Sequence, residues 1–192
     1  MRLFLAIELD DAARRAAARA AARLERALGR GPELRWVDTA GLHATLHFFG
    51  EVGDDRFRAL ETALAAPLAT APFEATLGRG GVFPPSGLPR VVWIGLASAG
   101  GELARLYEEV EGRLTAVGFE REARPFAAHV TLARIRRIRP TEAAALRAAL
   151  GEVSASLARV RIDHVTLFRS RLSPAGARYE PLRRVPLGGA RR

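Results

Sequence analysis

Four histidines and no cysteine set the terms of any side-chain chemistry in this 192-residue chain. Three of the four open the same short pattern: His43-Ala44-Thr45-Leu46, His129-Val130-Thr131-Leu132 and His164-Val165-Thr166-Leu167. In an extended strand, residues i and i+2 point the same way. Each copy therefore carries an imidazole and a hydroxyl on one face and apolar packing residues on the other. Two such faces turned toward one cleft supply two imidazoles and two hydroxyls. Imidazole titrates near neutrality, so one ring can start as a base and the other as an acid. Threonine hydroxyls suit the non-bridging oxygens of a phosphodiester, and positioning then takes the place of a metal ion. The pattern alone does not select two copies out of three. The fourth histidine, His47, shares the face of His43 by alternation and reads as a neighbouring cleft or surface residue.

The elements that must position these residues follow from periodicity and from Gly and Pro punctuation. Residues 2–8 form a buried strand, and Asp10 or Asp11 caps a helix over residues 11–28 that stops at Gly29. A short extended stretch, Leu34 to Val37, precedes a strand from Leu42 to Phe49 that Gly50 ends. A second helix spans Asp54 to Leu68, a strand spans Phe73 to Leu77, and residues 78–89, rich in Gly and Pro, read as loop. A strand at Val91–Leu96, a helix at Gly101–Val117, a strand at Val130–Ala133 and a helix at Thr141–Leu150 follow. The segment Val153–Phe168 is strand-rich, and a last strand, Tyr179–Val185, comes after the turn Ser173-Pro174-Ala175-Gly176. Strands and helices alternate without clean βαβ spacing, which predicts α+β with a largely antiparallel sheet. His43-Ala44-Thr45-Leu46 returns 86 positions later at His129, and each copy is followed, after a break, by a helix. Residues 1–192 are therefore expected to form a single domain of two pseudo-symmetric lobes, each a mostly antiparallel sheet flanked by helices. One motif per lobe puts the active site in the cleft between them.

Composition narrows the function classes. With 48% hydrophobic and 27% charged residues the chain is globular rather than disordered. The absence of Cys excludes disulfides and thiolate metal sites. The apolar start from Leu3 to Ile7 is too short for a signal peptide, and no stretch reaches the length of a membrane span, so a cytoplasmic protein is expected. The net charge is +9 and all 30 basic residues are Arg. Guanidinium groups fork onto phosphate, which suits RNA or nucleotides, although GC-rich coding produces the same bias. A histidine metal site is a rival reading. Its sole i, i+4 pair is His43/His47, which on a strand lacks the helical geometry of the two-histidine metal motif. A non-catalytic RNA-binding module built on Arg and aromatics is another. Phe49 and Phe126 are candidates to stack on a base, with core packing as the plainer role for both.

The motif blocks, taken in order, resemble the two-histidine phosphoesterase superfamily, and within it the bacterial RNA 2′,3′-cyclic phosphodiesterases, also called 2′-5′ RNA ligases. The similarity runs through Arg2–Ile7, Trp36-Val37, Gly41–Gly50, Gly80–Pro84, Pro89–Leu96, Arg124–Arg134 and Leu167–Leu172 with Gly176 and Tyr179. The resemblance implies His43 as proton donor, His129 as proton acceptor, and Thr45 and Thr131 as phosphate-binding residues. It implies a further phosphate contact at Arg134, although a straight strand would turn Arg134 away from His129. His164 falls in the C-terminal strand block, where the family pattern does not require histidine. The implied substrate is an RNA or nucleotide ending in a 2′,3′-cyclic phosphate, opened to a 2′-phosphomonoester by a monomer without cofactor or metal. ATP-independent 2′-5′ ligation by the same site, and hydrolysis of another cyclic or 2′-5′-linked nucleotide, are implied alternatives, with RNA processing, including that of tRNA, as the setting.

Overall fold

The computed structural model of the chain describes residues 1–123, 125–153, 155–173 and 176–188. Strand β1 (Arg2–Glu8) leads into α1 (Asp11–Leu28), where the Asp10 carboxylate accepts from the Ala13 N–H at the N-cap. Strand β2 (Glu33–Trp36), a 3₁₀ turn (Thr39–Gly41), β3 (His43–Glu51) and α2 (Asp54–Ala63) follow. Then come β4 (Phe73–Phe83), β5 (Val91–Ala97), α3 (Glu102–Ala116), β6 (His129–Arg137) and α4 (Pro140–Gly151). Strands β7 (Ala158–Ile162), β8 (His164–Ser173) and β9 (Gly176–Pro186) complete the order. Of the expected turn Ser173-Pro174-Ala175-Gly176, Pro174 and Ala175 lie outside the described residues, and Ser173 pairs with Gly176. Among the described residues no helix is long and apolar enough to cross a membrane.

All strand pairs are antiparallel, and they join in one curled sheet ordered β7-β4-β5-β6-β3-β1-β8-β9, with β2 alongside β6. The expected α+β class and pseudo-twofold are both visible in that order. The axis passes between β3 and β6, registered at Ala44 opposite Val130. Helix α2 begins at Asp54 and α4 at Pro140, the same 86-residue step as the two motifs. The halves interleave in sequence, because β8 and β9 complete the His43 side while β4 supports the His129 side. Helices α1 and α4 cover β4, β6 and β7, and α2 with α3 covers β3. Ala44, Leu46, Val130 and Leu132 are buried in the main core. The opposite, concave face holds a separate apolar cluster of Phe4, Ala6 and Phe168, with Tyr179 packed against it.

The structure corrects several element boundaries, among them the start of the last strand, which is Gly176 rather than Tyr179. Helix α2 ends at Ala63 rather than Leu68. Pro67 restrains the residue before it, and Leu68 is drawn away by bonds to the Pro186 carbonyl at 2.9 Å and from the Gly188 N–H at 3.0 Å. Gly50 does not stop β3, which continues to Glu51. Strand β6 runs on to Arg137, because β2 pairs with its second half. Residues 78–83, expected as loop, are strand. A bulge at Arg79, whose φ is 49°, lets the strand continue, and Gly80 and Gly81 pair with Ile94 and Trp93. Glycine here makes room rather than a turn. A Cβ at Gly80 would collide with Leu150 of α4, and one at Gly81 with the Trp93 indole. Gly81→Ala is therefore expected to displace Trp93, which lies opposite Thr131, and to lower turnover more than it lowers thermal stability. Unchanged kinetics in a folded Gly81→Ala protein would remove Trp93 from the support of the site.

Candidate active site

The two motif copies come together across the axis. The register Ala44↔Val130 sets His43 across from Thr131 and His129 across from Thr45, so each imidazole neighbours the other half's threonine. The His43 Nδ1–H donates to the Gly41 carbonyl at 2.8 Å, and the His129 Nδ1–H donates to the Ala127 carbonyl at 2.6 Å. A carbonyl can only accept, so each bond fixes the proton on Nδ1 and leaves Nε2 to face the cleft as donor or acceptor. Neither the Thr45 nor the Thr131 hydroxyl is used by a protein group among the described residues, and both are half-buried. The set of two rings and two hydroxyls is thus aimed and uncommitted.

Aromatic side chains hold both rings. Phe4 lies 4.7 Å from the His43 centroid, and Tyr179 meets it edge-on at 5.0 Å. Phe83 meets His129 edge-on at 5.0 Å, with Trp93 6.1 Å away. Sequence periodicity did not single out these residues, since an aromatic on a strand reads as core. The signal was available in parity: Phe4 and Ala6 alternate with the core residues Leu3, Leu5 and Ile7 and must therefore face the other side. Burial is the main reason the pKa of His43 falls below its ordinary value of 6.5. The positive charges of His129 and Arg134 lower it further, against the opposing hydrogen bond to Gly41. These effects bias His43 toward neutral imidazole.

Arg134 reaches this face through a bulge. Trp93 pairs with Thr131 and Val92 with Ala133, so Leu132 is an extra residue. Parity after Leu132 reverses, and Arg134 returns to the side of His129 and Thr131. The same device in β3 has the opposite consequence for His47. Leu5 pairs with His47 and Ala6 with Thr45, which leaves Leu46 extra and turns His47 into the core. The expectation that His47 lies on the His43 face as a cleft or surface residue is thereby corrected. Its Nδ1 sits 2.6 Å from Glu111 Oε1 of α3, and both side chains are buried. His43 and His47 face opposite sides of the sheet and cannot share a metal ion. Among the described residues no group of three His, Asp or Glu side chains is placed to hold one.

The third pattern copy is committed elsewhere. His164 Nδ1 lies 2.5 Å from Asp163 Oδ1, and Nε2 lies 3.3 Å from Glu8 Oε1. The Thr166 hydroxyl is fully buried and donates to Glu8 at 2.5 Å. Burial alone would raise the Glu8 pKa, but the Thr166 hydroxyl, Arg184 and His164 together hold it below the usual carboxylate value. Both nitrogens of His164 and the hydroxyl of Thr166 are thus spent on fixed carboxylates, unlike their counterparts at His43 and His129. The two candidate stacking residues are packed as well: Phe126 lies flat on Tyr107 at 4.1 Å, and Phe49 meets His47 and Phe119 at 4.6 and 5.1 Å.

Comparison with known proteins places the chain in a family. The family model described as LigT-like phosphoesterase matches residues 7–93 and again 94–179, one match for each of the motifs at His43 and His129. An RNA 2′,3′-cyclic phosphodiesterase of Archaeoglobus fulgidus is 35% identical over 183 residues, spanning 95% of this chain and 98% of that protein. One of Methanothermobacter thermautotrophicus is 32% identical, spanning 93% and 95%. Among solved structures, a Thermus thermophilus protein superposes with a TM-score of 0.78 at 29% identity, covering 99% of this chain and 100% of that one. E. coli LigT complexed with 3′-AMP gives 0.72 at 28% identity, with 97% of each chain covered. With the whole length matched and the model repeated across both halves, the chain belongs to the LigT-like phosphoesterase family.

Proposed function

We propose that the chain opens the terminal 2′,3′-cyclic phosphate of RNA to a 2′-phosphomonoester, using His43 and His129 as its acid and base. The observation that carries this reading is the pair of imidazoles pinned through Nδ1 to backbone carbonyls, with Nε2 of each turned to one cleft beside an unused threonine hydroxyl. The relatives named RNA 2′,3′-cyclic phosphodiesterase, and the E. coli LigT structure complexed with 3′-AMP, support a nucleotide phosphate as the ligand class. His129 Nε2 takes a proton from water as the water oxygen bonds to phosphorus. His43 Nε2–H gives its proton to O3′ as the P–O3′ bond breaks. Thr45 and Thr131 donate hydrogen bonds to the non-bridging oxygens, and Arg134 offsets their charge. The route calls on no metal ion or cofactor. A 5′-hydroxyl in place of water would give a 2′-5′ linkage without ATP. Each lobe supplies one ring and one hydroxyl, so the two lobes act as one functional domain, complete within a monomer.

The test is a product assay on a nucleoside 2′,3′-cyclic phosphate in EDTA. The 2′-phosphate is the expected product. A 3′-phosphate, or activity that returns only with a divalent metal, would overturn the reading. A second measurement concerns His43 itself. Glu8 opposite it on β1, Tyr179 on β9, and His129 and Arg134 on β6 are the titratable and charged groups around it. By NMR, the His43 ring of the ligand-free protein is expected to titrate below 6.5. Arg134→Gln removes one lowering charge and moves that titration up, and so does a bound phosphate, whose charge favours the imidazolium needed to protonate O3′. A His43 titration at or above 6.5 in the free protein would contradict the burial of the ring.

A further inference from the structure

The concave face is not chemically symmetric about its axis. Where the His129 copy has Arg134, the His43 copy has Phe48, reached past the equivalent bulge and 44% exposed, with the Arg2 guanidinium 5.0 Å above its ring. At the Arg134 end the positive charge accumulates. Arg35 of β2 is registered opposite Arg134, and residues directly opposite in an antiparallel pair project to the same face. Leu34 and Trp36, its neighbours in β2, pack against the core, which leaves Arg35 on the concave side. Arg136 follows Arg134 on the same face, while Ile135 between them packs against the core. Like charges set opposite each other repel unless an anion lies between them.

The surrounding arginines show that carboxylates are at hand. Arg137 is paired with Glu33 and Arg139 with Glu142. Among the described residues, neither Arg35, Arg134 nor Arg136 has a carboxylate within salt-bridge distance, and all three are exposed. Cβ atoms of directly opposed residues stand about 4.5–5.5 Å apart, close enough for two guanidinium groups to bracket one phosphate. Along β6 the Arg35/Arg134 row comes next after the His43/Thr131 row.

We propose that Arg35 and Arg134 form a second phosphate subsite, which takes the 5′-phosphate of the terminal nucleotide and so selects RNA ends over free cyclic mononucleotides. This rests on the function proposed above and adds a direction to it. In ribose the carbon bearing O3′ adjoins C4′, from which the 5′-phosphate branches, whereas the carbon bearing O2′ adjoins C1′ and the base. If His43 protonates O3′, the 5′ side of the sugar points along the register toward Arg134 and Arg35. The base then points toward the other end, where Phe48 is exposed.

The experiment compares kcat/KM on a nucleoside 2′,3′-cyclic phosphate with that on the same compound carrying a 5′-phosphate, at low and high salt. Wild type is expected to favour the 5′-phosphorylated compound by about tenfold, an advantage that shrinks as salt rises. Arg35→Gln should reduce the ratio of the two to near one, and Arg137→Gln, whose partner is Glu33, should keep it. Equal rates on both compounds in wild type, or an advantage that survives in Arg35→Gln, overturns the subsite. Equal losses on both compounds in Arg35→Gln also overturn it, by making Arg35 a support of the main site. Failure of wild type to open either compound would instead count against the parent reading.

Discussion

His43→Ala and His129→Ala each lower turnover of a 2′,3′-cyclic phosphate by a factor on the order of 10² to 10⁴, and His164→Ala leaves it within about twofold. The size follows from losing one positioned proton transfer while the hydroxyls and the fold stay in place. The contrast with His164 follows from partners rather than pattern, since its ring already sits between Asp163 and Glu8. Thr166→Val should cost roughly 1–3 kcal/mol of stability, because it removes a buried hydrogen bond to a charged carboxylate that keeps only Arg184 and His164, again with turnover kept. A substrate with sulfur in place of O3′ separates the two roles. Thiolate leaves without a proton, so that substrate should restore much of the rate in His43→Ala and little in His129→Ala. Rescue of His129→Ala alone would exchange acid and base. Full activity of either alanine variant on the ordinary substrate would end the two-histidine assignment.

Much of this site was legible in the sequence. Strand parity gave His43 and Thr45, and His129 and Thr131, a common polar face, and the 86-residue repeat implied two lobes. What parity could not give was the inserted residue in each central strand. Leu46 and Leu132 look like ordinary core positions, yet each is the extra residue of a bulge that reverses the side chains just beyond it. One reversal brings Arg134 back to the cleft and the other sends His47 out of it. Local sequence carries no mark of this, because a bulge is defined by what the neighbouring strand does. The glycine-rich stretch Gly78-Arg79-Gly80-Gly81 was misleading for a related reason. Composition announces a loop, whereas Gly80 and Gly81 are required by Leu150 and Trp93, residues remote in sequence that occupy the space above them. Arg35 was invisible because its significance lies in facing another arginine across β2 and β6.

The largest stability effect is expected at the pair that the β3 bulge creates. His47 and Glu111 are buried at 5% and 1% exposure, 2.6 Å apart, between the sheet and α3. The second carboxylate oxygen of Glu111 accepts from the Glu122 N–H at 3.3 Å, and the Thr115 hydroxyl donates to the Glu111 carbonyl at 2.7 Å. Glu111 therefore ties β3, the end of α3 and the segment leading to His129 to one point. Removing one member of such a pair leaves a buried polar group without its partner, which costs about 3–5 kcal/mol. In a domain of this size each kcal/mol lowers the melting temperature by roughly 2–4 °C, so Glu111→Ala and His47→Ala should each melt about 6–20 °C below wild type. Replacing both with apolar residues of similar volume, His47→Leu with Glu111→Met, should recover most of that loss, because the unpaired group is gone. The two positions are in contact, so the double change should cost far less than the two single changes added together. Additive losses would show that each residue acts through its own packing rather than through the bond between them. Turnover per folded molecule distinguishes this pair from the site on the other face. It should stay near wild type in the double variant, since the bulge at Leu46 is set by the pairing of β3 with β1 and not by the side chain of His47.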